Sequence, residues 1–151
     1  MRVTVGLLSL FLAASVCFAA SPPNAAKSKY LLTTGAGFLM SKADGAIYAM
    51  SYEVRKPLPS RLFCVAVFDN PEAPETPLRK EFEVSPDATD IQIQSPGIHS
   101  IHNNSTHTVH LVLYLDAEHT KKLSQHDQEV LFSMPPEVLD QLLEKFGLKV
   151  Q

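Results

Sequence analysis

Tryptophan is absent from this chain, glycine is limited to six residues and cysteine to two. The nearest thing to a phosphate loop is Gly35-Ala36-Gly37, which lacks both the third glycine and the lysine that such a loop needs. Basic residues number 13 against 16 acidic ones. With no basic excess, the usual electrostatic basis for nucleic-acid or anionic-membrane binding is missing. A Gly-x-Ser-x-Gly nucleophile elbow is missing too, and with it the most direct sequence mark of a serine hydrolase. The chain shows no internal repeat and no low-complexity tract.

What is present begins with a three-part export pattern. Met1-Arg2 supplies a short positive start, and Val3 to Val16 follows without a charge. Cys17-Phe18-Ala19 then places small residues at the positions a signal peptidase reads, so cleavage is expected after Ala19, with Ala20 the neighbouring choice. The apolar run is shorter than the ~20 residues that span a bilayer, which favours a cleaved signal over an anchor. Bulky Val16 argues against a lipid on Cys17. Losing residues 1–19 removes Arg2 and Cys17 and leaves 12 basic against 16 acidic side chains, a charge near −4. One cysteine remains, Cys64, so the mature chain has no intrachain disulfide and must be held by its core.

Residues 20–29 carry Pro22-Pro23-Asn24 and read as a flexible lead-in. A body with strand periodicity follows over residues 30–134. Its centre is Arg61 to Asp69, where the seven residues Leu62 to Phe68 are all apolar between proline-marked turns. Such a run predicts a strand covered on both faces, with Phe63, Val65 and Val67 on one and Leu62, Cys64, Ala66 and Phe68 on the other. Cys64 is accordingly expected to act as a small core hydrophobe.

Ala46 to Val54 alternates, with Tyr48, Met50, Tyr52 and Val54 on one face. Tyr30 to Met40 predicts a first strand broken by a bend. Asn70 to Pro77 holds three prolines, which suit an edge or a crossover. Lys80 to Val84 and Asp90 to Gln94 repeat the alternation. Thr108 to Leu115 is apolar on both faces and is the expected neighbour of the central strand. Asp116 to Asp127 reads as a polar loop, and Gln128 to Met134 as a strand returning antiparallel.

The period then changes. Pro135-Pro136-Glu137 is a helix start, and Leu139, Leu142, Leu143 and Phe146 form one stripe before Gly147. Residues 135–151 are therefore expected to form a C-terminal amphipathic helix. About seven short strands at regular turn spacing predict an all-β, immunoglobulin- or fibronectin-III-like antiparallel β-sandwich with this short helix appended. The marks of an antibody domain, a tryptophan and an inter-sheet disulfide, are missing.

All six histidines lie between His99 and His126. His99, His102, His107 and His110 flank the Asn103–Thr106 turn, and clustered imidazoles can bind Zn²⁺ or Cu²⁺. Side chains three apart on a strand point to opposite faces, so His107 is expected inward with Val109, and His110 outward with Val112. One ion then cannot use both, and a tight site is not expected. The same turn carries two overlapping glycosylation acceptors, at Asn103 and Asn104. Asp116 and Glu118 beside His119 read as solvated loop charges.

The resulting expectation is an exported, monomeric, non-enzymatic binding or assembly module, periplasmic or secreted. It is expected to use no cofactor, no nucleic acid and no membrane insertion after cleavage, with an unidentified protein or envelope partner. The alternative is a periplasmic Zn²⁺- or Cu²⁺-binding protein using His99, His102, His107 and His110.

Overall fold

A computed structural model describes Val16–Cys17 and residues 24–150. Apart from Val16–Cys17, the expected signal over residues 1–19 lies outside the described residues. The elements in chain order are β1 (Val16–Cys17), β2 (Leu31–Ser41), β3 (Gly45–Val54), β4 (Leu62–Phe68), β5 (Leu78–Val84), β6 (Asp90–Gln94), β7 (Ser100–Ile101), β8 (Ser105–Tyr114), β9 (Lys122–Phe132), α1 (Pro136–Phe146) and β10 (Lys149–Val150). The protein is mostly β, in two antiparallel sheets with one short C-terminal helix. One sheet runs β1-β2-β3-β6 and the other β5-β4-β8-β9, while β7 and β10 form a small parallel pair.

The strongest strands sit where their composition predicts. β4 and β8 are interior neighbours, in register from Phe63↔Tyr114 to Phe68↔Val109. Proline-flanked β5 is an edge. β2 and β3 meet through a hairpin closed by Asp44-Gly45, where Gly45 has φ +75° and a Cβ would stand 2.3 Å from the Ile98 carbonyl oxygen. Only glycine fits there. The bend in the first strand is an irregularity between Thr33 and Gly35 within one continuous β2.

Inward side chains of both sheets share one core. Tyr48 stacks on Phe68 at 5.5 Å between ring centroids, and Phe38 meets Phe132 edge-on at 5.3 Å. Leu139, Leu142 and Phe146 of α1 are buried in the same core, so the apolar stripe of the helix caps the body. Gly147, at φ 66°, ends the helix in the left-handed conformation, and Leu148 N–H donates back to the Leu143 carbonyl.

Three expectations are corrected. β4 is not equally covered on its two faces. Leu62, Cys64, Ala66 and Phe68 are fully buried, but of the opposite face only Val65 is, with Phe63 and Val67 half-buried. Across from that face on β5 stand Glu83, Glu81 and Arg79, exposed charged side chains that mark it as the solvent side of the sheet. The supposed loop to Asp127 ends early, because β9 begins at Lys122; its alternation buries His126 and Gln128, polar residues that do not look like core in a sequence. Residues 135–151 are not helix throughout: the helix stops at Phe146, and β10 returns to pair with β7.

Residues 24–28 of the lead-in are tied to the body. Ala26 N–H donates to Gln128 Oε1 at 2.7 Å, and Thr33 N–H to the Ala26 carbonyl at 3.0 Å. Gln128 Nε2 donates to the carbonyls of Glu129 (2.7 Å) and Asn24 (3.3 Å). Cys64 is buried, and burial pushes its thiol pKa up to about 12.

Candidate functional site

The two histidines of β8 separate according to strand parity. His107 is buried and inward, while His110 is half-buried on the opposite face and its Nδ1 lies 2.7 Å from Asp127 Oδ1. His99 is exposed on the stretch before β7, its N–H donating to Glu72 Oε1 at 2.8 Å. His119 sits in a turn at φ 56° beside the ring of Tyr114. Of the four candidate ligands, His102 and His107 line a common cleft, of about 350 Å³, with Asp69, Asn70, Pro71 and Pro74. Among the described residues, no group of three or more His, Cys, Asp or Glu is placed to hold a metal ion.

Beside that cleft, Ser105 joins the two lining residues His107 and Asp69 in a grouping that sequence spacing does not reveal, since Asp69 comes from just past β4. Ser105 Oγ lies 2.7 Å from His107 Nε2, and it donates its one proton to the His102 carbonyl at 2.5 Å. The imidazole must therefore donate to the hydroxyl, the reverse of what activates a serine nucleophile. Asp69 Oδ2 accepts from Thr108 N–H at 2.6 Å, and the Asp69 carbonyl accepts from Tyr48 Oη at 2.8 Å. Burial holds the His107 pKa below the ordinary histidine value against the opposing pull of Asp69, with His102 adding to the lowering. These groups brace the junction between β4, β8 and β3.

His126 plays a comparable part at the other side of the core. Its Nε2 is 2.7 Å from Thr33 Oγ1 and its Nδ1 3.0 Å from Ser28 Oγ, so both ring nitrogens have partners on β2 or the lead-in. The Tyr52 ring meets it edge-on at 5.3 Å. Burial lowers its pKa as well, with Asp127 opposing. Asn103 is likewise engaged: its side chain donates to the Met134 carbonyl (3.0 Å) and accepts from Met134 N–H (3.1 Å), joining the β7–β8 turn to the start of α1.

The surface best formed for contact lies elsewhere, where β2 and β9 come together beside α1. An apolar cleft of about 370 Å³ opens there, lined among others by Phe38, Met40, Leu131, Phe132, Met134 and Val138. Among the described residues only three large apolar side chains are exposed, Leu115, Leu131 and Val138, and two of them border this cleft. Leu131 is 62% exposed. The sequence carried one sign of this surface. Val130-Leu131-Phe132 interrupts the alternation of an edge strand, so the middle residue must face away from the core.

No family model, curated protein or solved structure matches this chain.

Proposed function

We propose that this chain is an exported binding module, built as a fibronectin-III-like β-sandwich, that docks an apolar segment of a partner protein at the β2–β9 seam. Strand order supports the fold reading. Lettered in chain order as A, B, C, C′, E, F and G, the strands β2, β3, β4, β5, β6, β8 and β9 fall as A-B-E in one sheet and C′-C-F-G in the other. Export is supported by the charge, apolar run and small-residue exit of residues 1–19.

The observation that carries docking is the exposure of Leu131 and Val138 at the rim of an apolar cleft whose floor, Phe38 and Phe132, belongs to the core. Exposed apolar side chains gathered at a concave site mark interaction surfaces, whereas isolated ones do not.

Two measurements test the reading. Fractionation with mass spectrometry should find a chain beginning at Ala20 or Ser21 outside the cytoplasm; a cytoplasmic chain with an intact leader overturns export. A displayed library of random peptides, selected on the protein, should enrich apolar sequences whose binding falls on Leu131→Glu. Enrichment indifferent to that change, or no enrichment, overturns docking at the seam.

A further inference from the structure

We infer that the outer edge of β2 is a strand-addition site for an extended apolar segment of a partner protein, and that Val16–Cys17 occupies this edge in cis until the leader is removed. The inference rests on the docking reading above and deepens it by naming the partner's conformation and a control on access.

The edge is already used once. β1 lies antiparallel against β2, with Val16 opposite Met40 and Cys17 opposite Leu39. An edge strand offers a row of unpaired N–H and C=O groups, and an added strand satisfies them whatever its sequence. Specificity then comes from the pockets that alternate side chains enter. Here the register and the cleft coincide. An incoming strand that kept the β1 register and continued past the Cys17 position would face Phe38, Gly37 and Ala36 in turn, and these three residues line the apolar cleft. Backbone pairing and apolar burial would thus come from one segment of about five residues, running from opposite Met40 to opposite Ala36.

The in-cis occupant belongs to the expected leader. Cleavage after Ala19 adds water across one peptide bond, leaves a carboxylate on the leader and a new amino terminus at Ala20, and releases β1 from the chain. While attached, a tethered segment competes at high effective concentration with any partner in solution. Once released it is diluted away, so one hydrolysis both completes export and opens the site.

Among the described residues the core holds none before Tyr30, so the chain from Ser21 retains every core side chain described. The test titrates a fluorescein-labelled peptide of residues 11–20, carrying Cys17→Ser, into the full chain and into residues 21–151, with a thermal melt confirming that each is folded. Saturable binding to residues 21–151 is expected, weaker by about tenfold or more for the full chain. Leu131→Glu in the shorter chain should weaken it by a similar factor, and Val16→Pro together with Cys17→Pro in the peptide should abolish it, because one of two successive N–H groups must face β2. If the shorter chain does not fold, the full chain carrying Val16→Pro and Cys17→Pro takes its place, and it should bind the peptide more tightly than the unaltered full chain.

A folded short chain that does not bind overturns the site. Equal binding to both chains overturns the masking. A dimer of residues 21–151 in sedimentation, dissociated by Leu131→Glu, makes a second copy the occupant and overturns the partner assignment. An intact cytoplasmic leader would refute export without altering these titrations, so failure of the two readings is distinguishable.

Discussion

β2 and β9 run along one seam whose two ends are built on different physics. Toward the start of both strands the seam is polar and covered: His126 is bracketed by Thr33 and Ser28, and Gln128 holds Ala26 and Asn24. Toward their ends it is apolar and open, with Phe38 and Phe132 below and Leu131 at the rim. A buried polar side chain needs partners of fixed geometry, so it selects one segment and one register. An apolar cleft is indifferent to geometry and takes whatever covers it. The polar end therefore fastens a piece of the chain itself, and the apolar end is the one proposed above to dock a partner.

The comparison can be broken most forcefully at the floor of the open end. Phe38 packs against Tyr48, His107 and Phe132. Phe38→Ala should cost about 3–5 kcal/mol in chemical denaturation. A loss below about 1 kcal/mol would separate the cleft from the core.

At the covered end, His126→Ala should cost about 1–3 kcal/mol, because Thr33 and Ser28 lose their buried partner. It should also change the response to pH. Burial lowers the folded-state pKa of both His126 and His107 from 6.5, so the unfolded chain binds protons first as pH falls. Their contribution is complete above pH 6.5 and is lost as pH drops through the lowered folded values. The melting temperature should therefore fall between pH 7.5 and 5, less steeply in His126→Ala than in the wild type. An unchanged slope would assign the effect to His107 alone.

The smallest expected effect is at the rim. Leu131→Glu should leave stability within about half a kcal/mol, since the side chain is exposed. A larger loss in the same denaturation experiment would make Leu131 part of the packing rather than of a docking surface.

Much of the fold could be read in advance wherever apolar residues recur at a clean period. β4 and β8 as neighbours, the inward faces of β3 and β6 and the helix over Leu139 to Phe146 follow from that periodicity. Elements built from polar side chains were not readable. The start of β9 and the fastening of residues 24–28 depend on His126 and Gln128 meeting partners far away in sequence, and no local pattern encodes such a meeting. The same holds for Asp69 beside His107. The open cleft was half-legible: the Val130-Leu131-Phe132 triplet announces an exposed Leu131, but only the placement of β2 beside it makes a groove.

The pairing of β1 with β2 also has a consequence in time. Cys17 and Leu39 are 22 residues apart, whereas Ala26 and Gln128 are 102 apart. Short loops close sooner and at lower entropic cost than long ones. In a chain made from its N-terminus, β1, β2 and β3 are all available for pairing before β9 exists. The Leu39–Met40 end of the β2 edge can thus be paired during the interval in which the protein is least finished. On this ordering the proposed leader would cover its part of that edge before the opposite wall of the cleft is made, and the cleavage proposed above would uncover it.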